Sequence, residues 1–519
     1  MQIRSETPAT SPWWKHSVCY QIYIRSFADS DGDGIGDMTG IKQRLPYLAG
    51  LGVDSVWITP FYTSPQNDHG YDVADYRDVD RLFGSLDDFD SMLARAHELG
   101  LRVIVDLVPN HTSIEHEWFQ QALRAAPGSP ERDLYVFRDG KGADGAEPPN
   151  NWKSVFGGPA WTRVADGQWY LHMFDVTQPD LNWWNPAVGA EFESILRFWL
   201  DRGVDGFRID VAHGLYTPEE MADLQPGETF PMWDQPQVHD VYRRWRQILD
   251  EYDGDRMAVA EAWTDTPESM ARYIRPDELQ QAFNFHWLQA PWSAKAFRGV
   301  VEESLHAVGL AGAAATWVLS NHDVVRHVTR YGGGAEGLSR AKAALLTMLA
   351  LPGGAYIYQG EELGLEEVEV APEDREDPTW LRGGGVGRDG CRVPIPWSGD
   401  EPPFGFGPGE GQPWLPQPAS WAAVTAAAQE GDPDSTLSFY KLALRTRREV
   451  TDDLPDEVTL LDSAPDTLAF VRGGGLVCAL NCGTEAAPVP VEAGELVLSS
   501  APLVDGQLPP DAAAWFRPA

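Results

Sequence analysis

The sequence predicts an α/β protein built on a (β/α)8 TIM barrel, with a small domain inserted after the third strand and an antiparallel β-sandwich domain at the C-terminus. Three observations carry this expectation. Eight short, apolar, strand-like runs alternate with helical stretches between residues 18 and 450, the pattern of parallel strands joined by crossover helices. The alternation breaks from about 112 to 180, where Gly, Pro and Trp replace long helical spacing. Past 451 it ceases, and short strands separated by turn residues take over. The expected domains are therefore the barrel over 1–109 and 181–450, the insert over 110–180, and the C-terminal unit over 451–519.

Taken in order, residues 18–27 alternate like a strand, and 39–52 carry helical spacing that stops at Gly52. Strand two is 54–60, helix two 85–100, and strand three, 101–108, runs into Pro109-Asn-His111. A helix at 189–203 leads to strand four, 205–211, which is apolar enough for burial yet holds Arg208 and Asp210. Their spacing of two turns both side chains to one face. Helix 241–252 with strand 257–263, helix 267–274 with strand 280–287, helix 293–309 with strand 315–323, and helix 338–351 with strand 355–359 complete the set. A Pro/Gly-rich stretch from 364 to 434 precedes a closing helix at 437–450, and strands at 458–461, 467–471, 476–480 and 495–499 follow.

Composition narrows the function class. A chain of 519 residues that is 43% hydrophobic has ample core. A net charge of -38 argues against a nucleic-acid partner or an anionic membrane surface, either of which requires clustered Lys and Arg. The four cysteines, at 19, 391, 478 and 482, form no disulfide framework, and Cys478 and Cys482 read as small hydrophobes in an apolar run. Met1 to Pro8 show no signal-like apolar region, and no stretch of about 18 apolar residues occurs. A cytoplasmic enzyme without a membrane partner is the resulting expectation.

Between the first strand and first helix lies Asp29-Ser-Asp-Gly-Asp-Gly-Ile-Gly-Asp37. Acidic residues at loop positions 1, 3, 5 and 9, with a glycine at 6 and a carbonyl at 7, offer the many oxygens a hard cation takes from a tightly turned backbone. Position 12 is Gly40 rather than a bidentate Glu, so the loop departs from the EF-hand. Ca²⁺, with Mg²⁺ as the alternative, is the expected structural ion.

In such a barrel the C-terminal strand ends converge on one site. They carry Asp106, Asn110 and His111 after strand three, Arg208 and Asp210 on strand four, Glu261 on strand five, and His322 and Asp323 after strand seven. Any one of these alone is more often a strand-end ion pair or cap; six or more on one rim favour a site. Without a phosphate loop or HExxH zinc signature, they point to acid/base chemistry that needs no redox cofactor. Glycoside hydrolysis requires two carboxyl groups in different protonation states. Arg208 is expected to keep Asp210 ionised and oriented, and the apolar neighbours of Glu261 to keep it protonated as the acid.

Four motifs in order, Asp106-Leu-Val-Pro-Asn-His111, Gly206-Phe-Arg-Ile-Asp210, Glu261-Ala-Trp263 and Leu319-Ser-Asn-His-Asp323, give the chain its resemblance to the α-amylase superfamily, glycoside hydrolase family 13. Within it the α-glucosidase and oligo-1,6-glucosidase branch is most similar. The resemblance implies Asp210 as nucleophile, Glu261 as general acid/base and Asp323 as the carboxylate that stabilises the transition state. It implies that Asp68, Tyr71, His111, Phe174, Gln178, Arg208, His322 and Arg392 close around a terminal glucose, with Cys391 where the family often has Ala. The metal loop is also similar to one in this branch, which implies Asp29, Asp31, Asp33, Asp37 and the Ile35 carbonyl as ligands. The implied activity is a retaining exo-α-glucosidase releasing glucose from maltose and malto-oligosaccharides, as a monomer or small homo-oligomer. An oligo-1,6-glucosidase or α-glucosyltransferase is the alternative, because Val211 and Val-Ala-His-Gly214 resemble enzymes of several linkage preferences. A non-catalytic sugar-binding scaffold is disfavoured by the complete set of three carboxylates.

Overall fold

All eight expected barrel strands pair in one parallel sheet. In the computed structural model, which describes residues 11–519 apart from 229 and 410, they are β1 (Val18–Ile22), β2 (Ser55–Ile58), β3 (Arg102–Leu107), β4 (Gly206–Ile209), β5 (Met257–Ala260), β6 (Gln281–Ala282), β7 (Thr316–Val318) and β8 (Gly354–Tyr358). The sheet runs β6-β5-β4-β3-β2-β1-β8-β7, so β8 returns beside β1, with Val18 opposite Ala355. At the remaining seam the Asn284 N–H donates to the Thr316 carbonyl at 3.1 Å. Residues 1–10, which include the segment expected to lack a signal-like run, lie outside the described residues.

Local chemistry fixes the helix ends around this barrel. Asp37 caps the helix Met38–Leu51 by accepting from Gly40 N–H, and Gly52 closes it at φ 99°, a left-handed conformation that suits glycine. Ser85 and Asp88 form a capping box on Leu86–Glu98. Pro186 opens the helix Pro186–Arg202, where its missing N–H costs nothing. The closing helix is Thr436–Thr451, capped by Ser435.

One strand differs from expectation. Residues 280–287 alternate like a strand, yet only Gln281–Ala282 pair, and Phe285–Gln289 form a short helix. Asn284 decides this, because its side chain accepts from Trp287 N–H and starts the turn. The seventh strand is likewise shortened to Thr316–Val318, which frees Leu319 to Asp323 to carry side chains onto the rim.

The insert holds an antiparallel sheet of Phe137–Asp139, Gln168–Leu171 and Trp161–Arg163. Its apolar cluster, including Trp152, Trp161 and Met173, extends to Met232 in the loop after β4. Hydrogen bonds join the same parts, with Trp152 Nε1 donating to the Ala222 carbonyl at 2.9 Å. Insert and loop therefore build one wall.

The C-terminal unit is a five-stranded antiparallel sheet, ordered Val458–Leu460, Thr467–Arg472, Leu476–Asn481, Ala512–Pro518 and Ala493–Ser499, beside a ribbon of Ala487–Pro488 and Gln507–Leu508. Buried Trp515 ties it to the barrel by donating to the Leu346 carbonyl at 3.0 Å. The four cysteines are free, and Cys478 is buried in this sheet as a small hydrophobe. Among the described residues no helix is long and apolar enough to cross a membrane.

Candidate active site

Parallel register sets the centre of the site. Asp106 on β3 lies opposite Arg208 on β4, and Arg208 lies opposite Val259, two residues before Glu261. The Arg208 side chain, 2% exposed, reaches Asp106 at 3.0 Å and Asp210 at 2.5 Å through one nitrogen and Glu261 at 2.7 Å through the other. One planar cation thus orients three carboxyl groups, as the fork of guanidinium donors permits.

Three acids around one cation cannot all stay charged at low cost. Burial pushes Asp106 up to about 7 against the pull of Arg208. Burial also raises Asp210 well above the carboxylate range, helped by the like charges of Glu261 and Asp106. Arg208 favours the ionised form of Asp210, as expected, and opposes the larger effect of lost water.

Glu261 is not in the purely apolar setting its neighbours suggest. Besides Arg208 it accepts from Trp263 Nε1 at 3.0 Å and from the Val211 N–H at 3.0 Å. Val211 donates from a left-handed backbone at φ 44°, a conformation that strains a β-branched residue and is retained where surrounding structure imposes it.

On the opposite side, Asp323 meets Arg388 at 3.0 Å, Arg392 at 3.1 Å and His322 at 3.3 Å. Burial opposes its ionisation, but the charges of Arg388 and Arg392 outweigh it and hold Asp323 below the usual carboxylate range. Burial keeps the His322 imidazole neutral. Gln21 Nε2 approaches His322 Nδ1 at 2.6 Å, and Tyr71 Oη approaches Nε2 at 2.7 Å. With the Gln21 amide as donor, the ring proton sits on Nε2 and faces Tyr71, whose hydroxyl donates to Asp106 at 3.1 Å.

Asp68, Tyr71, His111, Phe174, Asp210, Glu261, His322 and Asp323 from the sequence-based set all line one cavity of about 370 Å³. Gln178, Arg208 and Arg392 lie behind that lining. Gln178 donates to Asp68 at 2.9 Å and meets His111 at 3.1 Å, so it braces two lining residues. Arg388 was missed. It joins Asp68 and Asp323, each at 3.0 Å, and its Nε meets Asp377 at 2.6 Å. Its signal was its place four residues before Arg392, at the entry to the helix Asp389–Arg392. His213, Phe230, Trp233 and Trp263 also reach the cavity; the loop aromatics among them follow no periodicity.

In the acidic loop, Asp29, Asp31 and Asp37 bring carboxylate oxygens within 4.8 Å of one another. Asp33 is outside that group; its carboxylate accepts from Ile35 N–H at 2.9 Å, as that of Asp31 does from Asp33 N–H at 3.2 Å. Three converging carboxylates are a donor set that suits a hard cation.

Fold and rim together define a barrel enzyme that works with paired carboxyl groups. A family model described as alpha amylase, catalytic domain, matches residues 21–454, and the chain belongs to that family of glycoside hydrolases. It is 40% identical over 507 residues to a probable alpha-glucosidase of Rhizobium meliloti, spanning 92% of this chain and 90% of the relative. It is 38% identical over 486 residues to an oligo-1,6-glucosidase of Parageobacillus thermoglucosidasius, spanning 84% of each. Among solved structures, the alpha-glucosyl transfer enzyme XgtA superposes with a TM-score of 0.89 at 38% identity, over 98% of this chain and 100% of the other.

Proposed function

We propose that the protein is a retaining exo-α-glucosidase that releases glucose from the non-reducing end of short α-glucosides, among them maltose and malto-oligosaccharides. The observation that carries this is the Arg208 bridge, which puts Asp210 and Glu261 on one guanidinium. An inverting pair needs room for a water between its carboxyls; a retaining pair stands closer. Asp210, once it has given up its proton, attacks C1 while Glu261 gives a proton to the departing oxygen. Water then attacks C1, returns a proton to Glu261 and frees Asp210. Asp323, held ionised by its cations, stabilises charge on the sugar and accepts from its hydroxyls. Asp68, braced by Gln178 and Arg388, lines the same cavity as the catalytic carboxyls and is assigned here to the terminal glucose, the contact on which exo action rests.

Substrate linkage and the balance of hydrolysis against transfer lie at Val211 to His213, beside Glu261. Incubation with maltose and isomaltose separately, followed by chromatography, assigns both: glucose alone means hydrolysis, and new oligosaccharides mean transfer. Ca²⁺ is the proposed ion for Asp29, Asp31 and Asp37, with Asp33 and the Ile35 carbonyl as further ligands. The absence of a membrane-crossing helix among the described residues and the acidic charge of -38 support a cytoplasmic enzyme, a monomer or small homo-oligomer, whose partner is a small sugar. Asp210→Asn tests the mechanism. Loss of turnover by roughly 10³-fold or more is expected for removal of a nucleophile, and unchanged turnover would overturn the assignment.

A further inference from the structure

Asp68 reaches the cavity from a turn whose backbone does not hold itself. Gln66 and His69 stand at φ 64° and 51°, left-handed conformations that residues other than glycine seldom adopt. Gly70 follows at φ 108°, where a side-chain carbon would come 2.6 Å from the Pro60 carbonyl oxygen. Such backbone persists only where its surroundings impose it. On the inner side the Asp72 carboxylate does so, accepting from Asn67 N–H at 2.8 Å and from Asp68 N–H at 3.0 Å.

On the outer side the turn rests on Trp414. The His69 ring centre lies 5.1 Å from that of the indole, and neither of its buried nitrogens has a hydrogen-bond partner, so packing is what fixes it. Burial, with Arg25 and Arg392 adding to it, keeps this imidazole neutral. Gln66 is reached through Arg25, whose guanidinium stands 4.7 Å from the indole centre and donates to Gln66 Oε1 at 3.1 Å. Arg25 is buried, where the face of an indole attracts a guanidinium most. Both left-handed residues thus depend, directly or through one side chain, on a single ring.

That ring is itself anchored twice. Its Nε1 donates to Ser26 Oγ at 2.9 Å, and the Trp414 backbone N–H donates to the Gly34 carbonyl of the acidic loop at 3.0 Å. Trp414 does not line the cavity, so any effect it has on the sugar passes through other residues. Tyr23, which stacks on His322, is a more distant neighbour of the indole at 6.4 Å.

We infer that Trp414 is a positioning residue for the terminal glucose, its indole holding the Gln66–His69 turn so that the Asp68 carboxylate stays in the cavity. This rests on the α-glucosidase reading above, in which Asp68 meets that sugar.

The test is competitive inhibition by glucose against p-nitrophenyl α-glucoside, because an inhibition constant does not depend on the fraction of enzyme folded. Asp68→Ala should raise Ki by about tenfold or more, the scale of one hydrogen bond to a charged group. Trp414→Ala should raise it about tenfold alone and less than about twofold when Asp68 is already alanine, since the two act as one unit. Trp414→Leu leaves a smaller gap and should give the same result where Trp414→Ala does not fold. Trp414→Phe keeps a ring for Arg25 and His69 to pack on and should stay within about threefold of wild type. An unchanged Ki in the Ala and Leu variants, an equal rise in the Asp68→Ala background, or Trp414→Phe as weak as Trp414→Ala would each overturn the inference and leave the glucosidase reading standing. Failure of the wild-type protein to turn over any α-glucoside would overturn that reading itself.

Discussion

Replacing Arg208 with Met removes the cation that, among the described residues, touches Asp106, Asp210 and Glu261, at 3.0, 2.5 and 2.7 Å. These side chains are 0 to 10% exposed, so water does not take over the role of the guanidinium. Removing one partner of a buried ion pair costs about 3–5 kcal/mol, a large share of the roughly 5–15 kcal/mol that holds a domain folded. The three acids then escape their repulsion by binding protons. A carboxyl whose pKa is higher folded than unfolded favours the fold at low pH and loses that contribution as pH rises through the folded value. Asp106 already stands at about 7 with Arg208 present, so Arg208→Met should be nearer wild type at pH 5 and much less stable at pH 8. Arg208→Lys keeps the charge but not the fork, and should fall between the two. Urea unfolding of the three proteins at both pH values measures this, with kcat/KM recorded alongside. A midpoint for Arg208→Met equal to wild type at both pH values would refute the claim that this cation holds the cluster together.

Asp180 provides an independent pH test. It is buried, one oxygen accepts from Met173 N–H at 3.0 Å, the other has no partner, and burial raises it to about 8. Asp180 should therefore withdraw stability as pH rises from about 4 to 8, and Asp180→Asn should gain on wild type by a few kcal/mol over that range, on the order set by the raised pKa; an unchanged difference between the two proteins in urea titrations would contradict it. Chelation should lower the melting temperature by several degrees, and Asp29→Asn or Asp31→Asn should abolish that shift more completely than Asp33→Asn, read by differential scanning fluorimetry. Glu261→Gln should lose about 10²–10⁴-fold on alkyl glucosides, whose leaving oxygen needs a proton, and far less on a dinitrophenyl glucoside, whose oxygen does not; equal losses on both would remove Glu261 from the acid role.

Much of the barrel was legible because burial on both sides leaves a strong apolar signal in runs such as 102–107 and 206–209. The carboxylates were legible for the opposite reason, as charges where such a strand should have none. Strand six was overread because its aromatic residues mimic alternation, and the capping amide of Asn284 was given too little weight. The ionisation of Asp210 was read from its neighbour Arg208, whereas the depth of burial that raises it is a property of the assembled rim. Arg388, Phe230 and Trp233 lie on irregular segments. Such residues reach the site through packing against the insert and the β4 loop, which no local pattern encodes.

In the proposed mechanism Asp210 forms the covalent bond to glucose. Incubation with 5-fluoro-α-glucosyl fluoride, which slows release of the sugar, followed by peptide mass spectrometry locates that bond. One fluoroglucosyl group per chain, attached to Asp210, is expected; turnover with no adduct, or an adduct on any other residue, would rule Asp210 out as the nucleophile.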